Sequence, residues 1–119
     1  MSNVTPLHPA PQTCMFGFTS DQALDHFETL RGDESCIHQS KHLHDQMDLR
    51  AVTITQVMSA LRNGKLEKNP HLGPENCWRA QYRDFVAGDD ISVVVQLEQN
   101  KMGEFLVIVT VIHHAEIEG

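Results

Sequence analysis

The residues of this chain best suited to chemistry are histidines and arginines, and they fall in two groups. His38, His42 and Asp45 stand at i, i+4 and i+7, so a helix running through them would carry all three on one face. Farther on, Trp78, Ala80 and Tyr82 alternate with Arg79, Gln81 and Arg83. In a strand, that alternation points both arginines one way and Tyr82 the other. Cleaving RNA without a metal takes a base for the 2′-hydroxyl, an acid for the leaving oxygen and cations for the developing charge. His42 could act as base or acid, since imidazole changes charge near neutral pH, and Arg79 and Arg83 could hold a phosphate. The plainer alternatives are a helix-surface histidine with local hydrogen bonds and strand arginines that keep a sheet soluble.

Metal binding is a second possibility. Two imidazoles at i and i+4 can reach one ion, with Asp45 or Cys36 as a third ligand. The spacing lacks both the glutamate of HExxH and any CxxC pair. His113 and His114 are adjacent near the end of a strand-like run, so one must point to each face. Trp78 could stack on a base or simply fill the core.

These groups need elements to position them. Thr19-Ser20-Asp21-Gln22 fits a capping box and opens a helix over about Ser20 to Arg31, with Gly32 placed as its C-cap glycine. A second helix is predicted from about Ile37 to Leu49, with a thin apolar face of Ile37, Leu43 and Met47. Thr53-Ile54-Thr55-Gln56 opens a third, which Asn63-Gly64 stops with Gly64 as the left-handed residue. The period then changes to two. Lys65 to Lys68 reads as a short edge strand, Asn69 to Pro74 as a loop, and Cys77 to Phe85 as a strand that turns at Gly88-Asp89-Asp90. Ile91 to Glu98 and Glu104 to His113 are β-branched and apolar on both faces at their centres, which suits interior strands joined by a hairpin at Gln99 to Gly103. Helices followed by sequential strands predict an α+β domain: about three helices on a three- to four-stranded antiparallel meander.

Composition narrows the setting. The chain of 119 residues has room for one core. Residues 1–15 carry three prolines and little that packs, and read as a disordered tail ahead of a single domain over residues 16–119. The longest apolar run, Phe105 to Ile112, is too short to span a bilayer, and the N-terminus lacks the basic and apolar regions of a secretory signal. Three widely spaced cysteines, Cys14, Cys36 and Cys77, suggest free thiols in a reducing cytoplasm. The net charge of −7 argues against broad nucleic-acid affinity, although Arg62, Lys65, Lys68, Arg79 and Arg83 outweigh Glu67 and Glu75 within one stretch.

Ser40-Lys41-His42-Leu43-His44-Asp45-Gln46-Met47-Asp48-Leu49-Arg50-Ala51-Val52 leads into Thr55-Gln56-Val57 and Ala60-Leu61-Arg62-Asn63-Gly64. Together with Thr110-Val111, this stretch resembles an uncharacterised bacterial domain family that looks like a distant branch of the RelE/ParE toxin superfamily. The resemblance covers roughly residues 37 to 113. It implies a RelE-like fold, helices on one face of a curved antiparallel sheet, and relatives that are often ribonucleases or gyrase inhibitors paired with an antitoxin. Two departures stand out: Gln46 replaces the arginine of the family's His-x-x-x-Arg step, and Ala51 replaces the glycine of its Arg-Gly-Ile turn. Losing that arginine removes a natural phosphate ligand.

Three functions follow as expectations. The first is a RelE-like toxin of a toxin-antitoxin system, a metal-independent ribonuclease or translation inhibitor without cofactor. It would act on RNA or the ribosome through His42, Arg79 and Arg83 and be held by a cognate antitoxin. The second is a non-catalytic inhibitor or adaptor that binds a protein partner. The third is a metal-binding protein built on His38 and His42.

Overall fold

The computed structural model describes residues 19–114 of the chain, so the tail expected over residues 1–15 lies outside the described residues. Three helices come early: α1 (Ser20–Leu30), α2 (Lys41–Arg50) and α3 (Ile54–Asn63). Both expected capping boxes form. The Thr19 and Thr53 hydroxyls accept from the N–H of Gln22 and Gln56, whose side chains accept in return from the cap N–H.

The strands are β1 (Ile37–Gln39), β2 (Lys65–Leu72), β3 (Trp78–Val86), β4 (Asp89–Asn100) and β5 (Gly103–His113). They form one sheet in the order β1-β5-β4-β3-β2. From β2 to β5 the strands are an antiparallel meander, but β1 joins β5 in parallel with Ile37, His38 and Gln39 opposite Leu106, Val107 and Ile108. The fold is therefore α+β with a five-stranded mixed sheet, and the expected three- to four-stranded antiparallel sheet is corrected by that extra edge strand.

The physical reason lies at Ser40. Its hydroxyl accepts from the Leu43 N–H, which makes it the N-cap of α2, and donates to the Val109 carbonyl of β5. The helix therefore begins after Ser40 rather than at Ile37. The three residues ahead of it stay extended and pair with β5. Leu43 and Met47 still bury the thin face of α2 against β5.

Two further expectations about turns change. Gly64 has φ −73°, so it is not left-handed. A Cβ there would stand 2.3 Å from the Ala60 carbonyl oxygen and 2.8 Å from that of Arg83, so the glycine lets α3 and β3 meet. The left-handed helix cap is Ala51, at φ 55° and ψ 44°, the position where the resembled family has glycine. The turn between β3 and β4 is Ala87-Gly88, both at positive φ, one step earlier than expected. Pro70 sits within the edge strand β2, where the register with β3 slips twice.

All three helices pack on one face of the sheet. Ala23 and Phe27 of α1, Leu43 and Met47 of α2, and Val57, Ala60 and Leu61 of α3 meet Ala80, Tyr82, Ile91, Val93, Val95, Leu97, Leu106 and Ile108 in one core. Tyr82 fastens α1: its hydroxyl donates to Glu28 at 2.7 Å, and the Arg31 guanidinium lies 4.3 Å over its ring. Arg31 also donates to the carbonyls of Leu61 and Gly64, closing the end of α3. Among the described residues no helix is long and apolar enough to cross a membrane.

Candidate functional site

Strand alternation separates the residues on β3 by face. Ala80 and Tyr82 enter the core under the helices, so Arg79, Gln81 and Arg83 project from the opposite face of the sheet. His42 lies on the exposed side of α2, in the helical layer, one residue before the buried Leu43. The structure thus brings Arg79 and Arg83 to one sheet face and leaves His42 beyond the other. His38 is in β1, not on the helix with His42. Its neighbours Ile37 and Gln39 pair with core-side residues of β5, so His38 takes the face opposite the helices. There it meets the Phe105 ring edge-on at 4.8 Å between centroids. Asp45 pairs with Lys41 at 3.5 Å on the outer surface of α2. The shared helix face expected for His38, His42 and Asp45 does not form, because the chain changes from strand to helix between the two histidines.

Gln46, which stands where the family has arginine, accepts from Arg50 Nε at 3.1 Å. Cys36 is a free thiol whose pKa is pushed up by burial and by the nearby Asp33 carboxylate, which keeps it protonated. Cys77 is held in a disulfide, so the expectation of free thiols fails there.

Both arginines have partners within the sheet, Arg83 through all three of its nitrogens. Arg83 forms a fork with Asp90, Nε to Oδ1 at 2.9 Å and Nη2 to Oδ2 at 2.7 Å, and Nη1 reaches Glu67 at 3.1 Å. Those hydrogen bonds, Asp90 first and then Glu67, hold its proton more firmly than usual. Arg83 in turn holds Asp90 below the ordinary carboxylate range. Arg79 donates from Nε to Gln96 at 2.8 Å, and its stem lies against Gly73. Burial lowers its pKa, countered by the charges of Glu75 and Glu98.

Glu67 ties the network across three strands. Burial pushes its carboxyl up, but Ser92 at 2.6 Å, Gln81 at 2.8 Å and Arg83 outweigh that and hold it low. Ser92 also meets His114 Nε2 at 2.7 Å. Because Ser92 donates to Glu67, it accepts from His114 and is not deprotonated by it. Ser92 is also fully buried, so the Ser-His-Glu grouping is a structural hydrogen-bond chain rather than a nucleophile and base. His113 points the other way, to Asp89 at 3.1 Å, and Asp89 receives Gln56 of α3 at 2.7 Å. The adjacent histidines do divide between the two faces.

Glu67, Asp90 and Ser92 are residues of this face that the sequence reading missed. Their signal was the hairpin register: a turn at Ala87-Gly88 sets Ser92 opposite Arg83 and Asp90 two residues before it. Four carboxylates, Glu67, Asp90, Glu75 and Glu98, stand around the two arginines, and the register sets Lys65 opposite Arg83 and Lys68 opposite Gln81 on the same face, so the charges there balance. Such a face has no net positive field to gather phosphate. Among the described residues no cluster of three or more His, Cys, Asp or Glu side chains could hold a metal ion.

No curated protein and no solved structure matches the chain. The likeness to RelE/ParE toxins therefore rests on the sequence resemblance alone. A family profile does match residues 39–113, from the end of β1 through β5. That span exceeds half of the chain, and the protein belongs to the family described as a domain of unknown function, DUF4258.

Proposed function

We propose that this domain is a non-catalytic protein-binding module, an inhibitor or adaptor, rather than a ribonuclease. The observation that carries the reading is that Arg83 is paired with Asp90 and Glu67, and Arg79 is held on Gln96, on the face opposite His42. RNA cleavage asks for an imidazole within hydrogen-bond reach of the reacting atoms and for unspent cations at the phosphate. Here the imidazole and the cations are separated by the thickness of the sheet and its helical layer, and Arg83 is already bound by two carboxylates. Replacement of the family arginine by Gln46 supports the same reading. The toxin-like alternative, with RNA or the ribosome as target and an antitoxin as partner, keeps only the resemblance behind it.

The test is affinity purification of the tagged full chain from its host under native conditions. A protein co-purifying in stoichiometric amount is expected. Recovery of the domain alone, at several salt concentrations, would defeat the reading.

A further inference from the structure

Five arginines lie among the described residues, and four are spent on internal partners. Arg31 binds carbonyls and Glu28, Arg50 binds Gln46, Arg79 binds Gln96, and Arg83 binds Asp90 and Glu67. Arg62, in the last turn of α3, makes no hydrogen bond or ion pair with any described residue. It lines a cleft of about 400 Å³ between α3 and the segment that leads into β1. Ile54, Met58 and Ser59 share this flank of α3 with Arg62, being spaced at i, i+4, i+5 and i+8. Across the cleft stand Gln39 and Glu34. Gln39 pairs with the core residue Ile108, so its side chain lies on the helical side of the sheet. The Glu34 carboxylate, like Arg62, has no side-chain partner among the described residues.

The cleft therefore presents an unspent guanidinium and an unspent carboxylate on facing walls that do not pair with each other. Between them lie two flexible or branched apolar side chains, a hydroxyl and an amide. Its volume is within the range of ligand pockets, about 300–1,000 Å³. Complementarity dictates the occupant: a carboxylate for the Arg62 fork, a cationic or N–H donor group for Glu34, and an aliphatic stretch over Ile54 and Met58. A peptide carrying an acidic and a basic side chain has all three. We infer that this cleft is the docking site for such a segment of the partner protein, an inference that rests on the reading of the domain as a protein-binding module.

The probe is the blocked peptide acetyl-Glu-Ala-Lys-amide, titrated into isotope-labelled full-length protein and followed by two-dimensional NMR. Saturable shifts are expected at Ser59–Asn63 and Glu34–Gln39, at millimolar affinity. In Arg62→Gln and in Glu34→Gln, affinity should fall about tenfold, the loss of one charge-assisted contact. Lys68→Gln, exposed on β2 at the sheet edge opposite β1, should change nothing. Both wall residues are exposed, and unchanged spectra away from the cleft verify that the variants fold. Absence of saturable shifts up to about 10 mM, shifts centred elsewhere, or equal affinity in Arg62→Gln would overturn the assignment. The two proposals fail separately. A stoichiometric partner retained by both variants removes the cleft and leaves the binding module. A wild-type chain without a partner removes the module, whatever the peptide does.

Discussion

Replacing Gly64 by alanine puts a methyl group where two backbone carbonyls already stand. The added Cβ would lie 2.3 Å from the Ala60 oxygen and 2.8 Å from the Arg83 oxygen. Relief to ordinary contact needs a shift of roughly 1 Å between the end of α3 and β3, since carbon and oxygen rest near 3.3 Å. Neither atom belongs to a side chain that could swing aside. The shift would strain the Gly64 N–H bond to Ala60, 2.9 Å long, and the Arg31 bonds to the Leu61 and Gly64 carbonyls. Overpacking of this kind costs about 1–3 kcal/mol and a weakened hydrogen bond about 1 more, so Gly64→Ala should lose about 2–4 kcal/mol. For a domain of this size that is a fall in Tm of roughly 10–25 °C. Urea denaturation followed by circular dichroism, with thermal melts alongside, measures it. Gly88→Ala is the comparison: φ is +88° but nothing lies within 4 Å, so only backbone strain of about 1 kcal/mol is expected. If Gly64→Ala cost no more than Gly88→Ala, the close approach of α3 to β3 would be refuted.

Other consequences follow from the same geometry. Ala51→Gly should stabilise by about 0.5–1 kcal/mol, because a left-handed cap at φ 55° strains alanine more than glycine costs the unfolded chain; a lower urea midpoint would contradict that cap. Arg31→Met should destabilise by about 2–3 kcal/mol, losing two carbonyl partners and the contact over Tyr82; a change under about 0.5 kcal/mol in urea would show that water replaces the guanidinium. Glu67, Asp89 and Asp90 all have carboxyl pKa values held below their ordinary ones, so their stabilisation is complete above the unfolded-state values near 4 and is lost as pH falls through the lower folded values. Stability should thus be flat from about pH 6 to 5 and fall below about pH 4, and Glu67→Gln should fall less steeply; equal slopes for both proteins would discount the network.

What could be read from the chain alone was local. The capping boxes at Thr19 and Thr53 each depend on two side chains three residues apart, and both form. The facing of Arg79 and Arg83 away from Tyr82 needs only the strand period. Ile37–Gln39 was taken into a helix because a three-residue strand has no period to show, and its partner on β5 lies about seventy residues away in sequence. Gly64 was misread for a similar reason: its role comes from a tertiary approach, which no neighbouring residue reports. The partners of Arg83 were within reach. Moving the turn to Ala87-Gly88 would have placed Asp90 and Ser92 beside it and revealed the carboxylate that occupies its fork.

The account stands most directly on whether His42 and the sheet arginines act together on RNA. Purified full-length protein, His42→Ala and Arg83→Ala should be incubated with total and ribosome-bound RNA of the host, and the fragments read on denaturing gels. A binding module whose Arg83 is already paired with carboxylates, and whose arginines stand on the face opposite His42, should leave the RNA intact in all three samples. Cleavage by the wild-type chain, abolished in both His42→Ala and Arg83→Ala, would contradict it.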